Sequence, residues 1–492
     1  MSQNSRSIEH DVALFLDGVV SRSASAASIK VINPSTGCCV MPIPAGCGAD
    51  VDRAVGSSRR AFEDGRWSDA PLSFRKSTLR RFADLIAADS TELDALDAEE
   101  MGKPVSTAAF NAAAAADLVR FNAEAVDKVM GDVYGGDRHS FVVQRRVPRG
   151  VVGAIVPWNF PTYNAVLKVA PALAAGNCVV LKPSELSSRS AMHLAHLALQ
   201  AGLPKGVLNV VPGLGETVGR ALGLHTDVNM LAFTGSTEVG KLMLQYAANS
   251  NMKIVMAECG GKSPHIVFAD GVDLDEASEC IAGSLLTNQG QICTMGSRVL
   301  VHRSIESVLL DKIVSQTKQI VMGDALDAKT TFGPLASATQ CERVISYIEG
   351  ASNEGAKLVV GGRRVLQDSG GYFVEPTVFR NVSPTARIAQ EEIFGPVLSV
   401  IPFSEEAEAI RIANSTIYGL AANVWTTNLS TGMRMAKAIQ SMVVVNATSP
   451  RGEGPGHAAS WEPVGQSGVG TEGGLAGIES YLRRQLVWFS HA

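Results

Sequence analysis

The chain has 492 residues, 46% hydrophobic and 18% charged, enough for two or three globular domains with a large interior. Its formal net charge of −5, without a long Lys/Arg run, excludes the electrostatic footprint of a nucleic-acid-binding protein. No stretch of about 18 apolar residues could span a bilayer, and Met1 to His10 carries no apolar signal core, so a soluble cytoplasmic protein is expected.

In chain order, residues 50–130 read as helical. Leu72, Leu79, Phe82, Leu85, Ile86, Leu93 and Leu96 recur at helical spacing among charges, and an Ala-rich stretch continues over 107–126. From Val151 the texture changes to short apolar runs separated by helical segments. Val151–Val156 precedes a helix near 162–175, Val179–Leu181 one near 187–201, Val207–Val211 one near 216–222, and Leu231–Phe233 one near 238–248, with Ile254–Met256 next. This is the pattern of βαβ units around a parallel sheet, whose ligands bind at the carboxyl ends of strands. A second βα-rich region covers about 262–445, with runs at His265–Phe268, Arg298–Val301, Lys357–Val360 and Val397–Pro402. Gly- and Pro-rich sequence fills 449–474, and Tyr481–Phe489 reads as a terminal strand.

The eight cysteines of a long chain without a leader read as reduced thiols. Neither Cys-x-x-Cys nor His-Glu-x-x-His occurs, so no metal site is expected. Gly468-x-Gly470-x-x-Gly473 matches the dinucleotide fingerprint by letter but follows no expected strand. Gly213-x-Gly215 follows a strand and reads equally well as a turn near a cofactor or as a plain strand–helix turn. Two segments carry chemistry. Asn288-Gln289-Gly290-Gln291-Ile292-Cys293-Thr294 sets a thiol in a polar, Gly-containing turn, unlike Cys178 and Cys280, which sit in apolar runs. Glu258 ends an apolar strand before Cys259-Gly260-Gly261-Lys262, where a carboxylate is costly to bury without a task or a partner.

Together with Val156-Pro157-Trp158-Asn159-Phe160-Pro161, Leu181-Lys182-Pro183-Ser184-Glu185, Phe233-Thr234-Gly235-Ser236-Thr237-Glu238-Val239-Gly240, Glu391-Glu392-Ile393-Phe394-Gly395-Pro396 and Tyr418-Gly419-Leu420, these segments resemble the aldehyde dehydrogenase superfamily from about Phe15 to Phe489. The resemblance implies an α/β fold with a Rossmann-like cofactor domain (1–132 and 149–259), an α/β catalytic domain (260–472) and a small β flap for oligomerisation (133–148 and 473–492). It implies NAD-dependent oxidation of an aldehyde to an acid in a homodimer or homotetramer. Cys293 would be the nucleophile and Glu258 the base for thioester hydrolysis. Asn159 and the Cys293 backbone N–H would stabilise the oxyanion, a donor typically worth about 3–4 kcal/mol. Lys168 and Glu472 match positions linked to proton movement around the cysteine. Trp158 is placed beside the cofactor, Lys182 and Glu185 at the adenosine ribose, Gly235 and Ser236 at the pyrophosphate, Glu392 at the nicotinamide ribose and Phe394 near the nicotinamide. A carboxylate at Glu185 favours NAD over NADP, because it repels a 2′-phosphate.

Tyr163, Asn164 and Leu167 match tunnel-lining positions. The usual family ending is replaced by Pro463-Val464-Gly465-Gln466-Ser467-Gly468, after an enlarged loop that in relatives lines the mouth of the substrate tunnel and here carries Arg451, His457 and Trp461 as candidate substrate residues. Arg451 could grip a substrate carboxylate with two parallel hydrogen bonds, which points to a semialdehyde, or be a solvated loop charge. The segments 124–136 and 248–270 look most like the group acting on γ-glutamyl-γ-aminobutyraldehyde and other ω-amino aldehydes. The competing reading is a non-catalytic NAD-binding protein of the same fold.

Overall fold

The computed structural model describes residues 13–447 and 456–490. After two short antiparallel strand pairs, Leu14–Leu16 with Val19–Ser21 and Ser28–Ile32 with Cys39–Pro44, four helices follow at Gly48–Glu63, Leu72–Ala88, Ser90–Met101 and Ala112–Ala125. Pro71 precedes the second, and Gly102, at φ 85°, ends the third in the left-handed conformation that glycine adopts without strain. Asn111 caps the fourth by accepting from the Ala114 amide. Trp67 lies fully buried under these helices and donates to the Leu173 carbonyl at 3.0 Å.

The first sheet has eight strands, in the order Val19–Ser21, Leu14–Leu16, Leu208–Val210, Cys178–Lys182, Val151–Ile155, Met230–Thr234, Ile254–Glu258 and Gly468–Val469. Its five central strands are parallel. All residues of Val151–Ile155 and Cys178–Lys182 are buried, as expected where helices cover both faces. Strand order reverses between Val151–Ile155 and Met230–Thr234, so the crevice beyond their carboxyl ends is the topological switch point. Crossover helices follow at Pro161–Ala174, Arg189–Gln200 and Thr237–Ala248.

The second sheet runs Lys357–Val360, Thr377–Arg380, Val397–Phe403, Arg298–His302, Pro264–Val267, Ala421–Trp425 and Met442–Val445, parallel except at its first pair. A separate antiparallel sheet pairs Leu482–Ser490 with Ser140–Pro148 over nine residue pairs, with Asp132–Tyr134 on the far side.

The α/β expectation holds, with strand ends displaced by one or two residues. The described part of the Gly- and Pro-rich stretch, residues 456–474, is more regular than its composition implied. Within it Ser460–Trp461 pairs with Glu472–Gly473, Val464–Gly465 with Tyr418–Gly419, and Gly468–Val469 lies antiparallel to Ala257 and Glu258. The letters of the dinucleotide fingerprint at 468–473 thus belong to the edge of the sheet, not to a strand–helix phosphate turn. Gly213 forms a tight turn against Gly46 and Val218. Among the described residues no helix is long and apolar enough to cross a membrane.

Candidate active site

Three loops converge beyond the switch point. Glu258 ends its strand, and Gly260 and Gly261 follow. A Cβ on Gly260 would stand 2.3 Å from the Glu392 carboxylate, and one on Gly261 would stand 2.5 Å from the Cys293 carbonyl. The double glycine therefore lets the loops bearing Cys293 and Glu392 close onto the end of the first sheet. The Gly261 amide donates to Glu392 Oε1 at 3.1 Å. Ser467 fastens the assembly: its hydroxyl donates to the Gly260 carbonyl at 2.7 Å and accepts from the Gly419 amide at 3.0 Å, while its carbonyl accepts from Cys259.

Cys293 follows a strained turn. Asn288, Gln289 and Gly290 have φ of 49°, 55° and 68°, a left-handed run that is costly for the two non-glycine residues. Side chains hold it. The Gln291 amide donates to the Asn288 carbonyl at 3.1 Å and accepts from the Ala336 amide at 3.0 Å. Cys293 as a residue is half-buried with its thiol turned inward, and the backbone N–H groups of Cys293 and Thr294 favour the thiolate. Burial, followed by the nearby Glu258 and Glu392 charges, pushes the thiol up to about 12.

Asn159 is tied to the same turn. Its Nδ2 donates to the Gln291 carbonyl at 3.0 Å, its Oδ1 accepts from Asn164 Nδ2 at 3.1 Å, and its carbonyl accepts from Asn288 Nδ2 at 2.8 Å. One Nδ2 proton is used, leaving a second, oriented N–H on a buried side chain.

Behind the thiol lies a chain of charge. Lys168, fully buried on helix Pro161–Ala174, pairs with buried Glu472 at 2.5 Å. Both also face Glu258, whose Oε1 has no hydrogen-bond partner. Burial, then the negative charge of Glu472, raises the Glu258 carboxyl well above the usual carboxylate range, while Lys168 and a Trp461 hydrogen bond act the other way. Burial also raises Glu472, against Lys168.

The residues expected to meet a dinucleotide line the switch point. Lys182 and Glu185 pair at 3.2 Å, and burial lowers the Lys182 ammonium. Ser236 caps helix Thr237–Ala248 by accepting from Val239, and Gly235 is backed by the Phe233 ring, where a Cβ would stand at 2.5 Å. The positive end of a helix behind a glycine suits a pyrophosphate. Burial pushes Glu392 up to about 7, opposed by the Gly261 amide. Phe394, at φ 59°, meets Trp158 edge to face with centroids 5.3 Å apart.

Tyr163, Asn164 and Leu167 share the helix of Lys168 and are buried. Phe110 stacks on Phe160 at 4.4 Å and meets Tyr163 edge-on at 5.1 Å. His457 lies 6.4 Å from Phe121, against helix Ala112–Ala125. Arg451 lies outside the described residues. Sequence reasoning missed Phe110, Gln291 and Ser467. Gln291 stood inside the cysteine motif and Ser467 inside the altered ending, but neither was given a role, because their partners lie far along the chain.

The aldehyde dehydrogenase family model matches residues 20–487. The NADP/NAD-dependent aldehyde dehydrogenase PuuC of Escherichia coli (strain K12) is 40% identical over 481 residues, 97% of this chain and 95% of that protein. The aldehyde dehydrogenase KauB from Pseudomonas aeruginosa superposes with a TM-score of 0.95 at 45% identity, covering 98% of this chain and 97% of its own. The γ-glutamyl-γ-aminobutyraldehyde dehydrogenase from Burkholderia cenocepacia J2315 does so with 0.94 at 44%, covering 98% and 97%. A thiol, a carboxylate and an oriented amide gathered at the switch point of this sheet, matched across nearly the whole length, show that the chain belongs to the aldehyde dehydrogenase family, which oxidises aldehydes to acids with NAD(P).

Proposed function

We propose that Cys293 is the nucleophile of an NAD-dependent oxidation for which Asn159 and Glu258 supply the oxyanion donor and the base. Cys293 gives up its thiol proton to solvent and, as the thiolate, Sγ adds to the carbonyl carbon of the aldehyde while the carbonyl π electrons move to oxygen. The free Nδ2 proton of Asn159 and the Cys293 backbone N–H hold that oxyanion. The nicotinamide ring of bound NAD supplies the acceptor for the hydride that leaves the former aldehyde carbon. Cys293 is then acylated as a thioester. Glu258 takes a proton from water as the water oxygen adds to the thioester carbonyl; the C–S bond breaks, and Cys293 regains its thiolate. Lys168 and Glu472 behind Glu258 give the proton a route away from the site.

The side chains present fit the dinucleotide. Ser236 and Gly235 offer a helix start, Lys182 and Glu185 offer paired donor and acceptor groups for a ribose, and Glu392 offers a second carboxylate. Glu185 favours NAD over NADP in this reading, although PuuC is described as using both.

The observation that carries the reading is the meeting of the Gly290–Cys293 turn with Glu258 and Asn159. Cys293→Ala should abolish aldehyde-dependent NADH formation while leaving NAD binding intact by calorimetry. Retained turnover would remove the assigned nucleophile, and a wild type without turnover on any aldehyde would favour a non-catalytic NAD-binding protein.

The substrate in this reading is an ω-substituted aldehyde or a semialdehyde. The name of the Burkholderia relative supports the first and the sequence of the enlarged loop the second. Comparing kcat/KM for an ω-amino aldehyde, a semialdehyde and a neutral aldehyde of equal length decides between them. Residues 1–132 with 149–259 serve as the cofactor domain and 260–472 as the catalytic domain. Residues 133–148 with 473–492 serve as the oligomerisation flap. Exposed apolar side chains on the last strand, Leu486, Trp488 and Phe489, support a second copy of the chain as the flap's partner. Truncation after Tyr481 should yield a smaller assembly by light scattering.

A further inference from the structure

Helix Pro161–Ala174 is buried along its whole length and carries Asn164 and Lys168, yet its own sequence leaves its start uncapped. Phe160 has no side-chain acceptor to offer and Pro161 has no N–H, so Thr162 supplies the first free amide. That amide donates to Asp97 Oδ2 at 3.2 Å, a carboxylate that helix Ser90–Met101 brings in from 65 positions away. Asp97 is buried, and its negative charge meets the positive end of the helix. The other end is held from the same part of the chain. Trp67 Nε1 donates to the Leu173 carbonyl at 3.0 Å, and Arg75 Nη1 donates to the Ala174 carbonyl at 3.3 Å. A carboxylate at the start and a guanidinium at the finish both complement the helix dipole. One turn of chain links the clamped start to the site. Asn164 Nδ2 donates to Asn159 Oδ1 at 3.1 Å, and Asn159 Nδ2 donates to the Gln291 carbonyl at 3.0 Å. A continuous path therefore runs from Asp97 to the turn that presents Cys293.

We propose that Asp97 is a positioning residue for thioester formation: as an N-cap supplied by another helix, it fixes Thr162 and, through Asn164, aims the Asn159 amide that receives the oxyanion. The inference rests on the reading of Asn159 as oxyanion donor. Two neighbours on the helix of Asp97 have the same chemistry at other places. Asp94 Oδ1 accepts from the Ala112 amide at 3.0 Å, at the start of helix Ala112–Ala125. Glu100 Oε2 accepts from the Arg189 amide at 3.1 Å, at the start of helix Arg189–Gln200. Three carboxylates at three-residue spacing thus each hold the first free amide of a different helix. Only the helix held by Asp97 carries Asn164 and Lys168, so its cap alone bears on the alignment of the oxyanion donor.

Asp97→Ala removes the acceptor. In the full-length enzyme with saturating NAD and aldehyde, the amplitude of the NADH burst counts folded active sites, and its rate constant reports their geometry. A merely structural role lowers the amplitude; a positioning role lowers the rate constant. The rate constant should fall by about tenfold or more, the scale of a slightly misplaced catalytic group. The NAD affinity measured by calorimetry should stay within about twofold, because the groups proposed for the dinucleotide lie on other segments. Asp97→Asn, which keeps an acceptor for Thr162, should recover most of the rate. Asp97→Leu, close in shape but without an acceptor, should be as slow as Asp97→Ala and serves in its place if the alanine variant does not fold. Asp94→Asn, the same exchange one turn away, should leave the rate constant within about twofold of wild type. A wild-type rate constant in Asp97→Ala or Asp97→Leu would overturn the proposal, and so would an Asp94→Asn variant slowed as much as they are. A wild-type burst in Asn159→Ala would instead overturn the reading of Asn159 as donor, so the two failures are distinct.

Discussion

Replacing Asn159 by alanine tests the oxyanion site most directly. Its Nδ2 spends one proton on the Gln291 carbonyl at 3.0 Å, and Asn164 fixes the amide orientation through Oδ1 at 3.1 Å, so the second proton is aimed before any substrate arrives. Loss of such a donor costs about 2.7–4 kcal/mol at the transition state, or roughly 10²–10³ in the rate of thioester formation. The fold should tolerate the change. Asn164 Nδ2 and the Gln291 carbonyl lose a partner, worth about 1–3 kcal/mol if nothing replaces it. The chain path stays anchored by Asn288 Nδ2 on the Asn159 carbonyl. Stopped-flow measurement of the NADH burst isolates the step, and iodoacetamide alkylation of Cys293 reports whether the thiol is still presented. Asn159→Asp, which keeps the shape but sets a negative acceptor at the oxyanion, should be at least as slow. A burst rate for Asn159→Ala within about threefold of wild type, with normal alkylation, would refute the assignment.

Three further outcomes follow from the same geometry. Cys293 is held up by burial and then by the charges of Glu258 and Glu392, so Glu258→Gln, which removes a negative neighbour, favours the thiolate; alkylation by iodoacetamide at a fixed neutral pH should speed up, and an unchanged or slower rate contradicts this. Lys168→Met leaves Glu472 and Glu258 buried without their cation, so both carboxyls rise further and the acid limb of thioester hydrolysis moves to higher pH; the melting temperature should also fall, since breaking a buried pair costs about 3–5 kcal/mol. Gly290→Ala places a Cβ 2.6 Å from the Gly395 carbonyl at φ 68°; a cost of about 1–3 kcal/mol and near-complete loss of the NADH burst are expected, and an active, equally stable variant would show that the turn tolerates another path.

Much of the fold was legible because its signals are local. Five apolar runs between 151 and 256 became the five parallel strands of the first sheet, since residues buried on both faces must be continuously apolar. The terminal run 481–489 became the strand Leu482–Ser490. Thr377–Arg380, Ala421–Trp425 and Met442–Val445 went unassigned because short apolar runs do not separate strand from buried helix. The ordered pairs within 456–473 were hidden because each is only two residues long and two of the three are made with distant segments, while composition there speaks only of turns.

The sequence by itself determined the chemical vocabulary: a thiol in a glycine turn, a carboxylate at a strand end and an amide after Pro-Trp, each marked by residue type and immediate neighbours. Tertiary structure alone decided which of these groups feel one another. Glu258 and Glu472 are 214 positions apart, yet Lys168 pairs with Glu472 and its charge acts on both. Burial and charge act through space, so the state of a carboxylate depends on what the chain folds against it, and no local pattern records that.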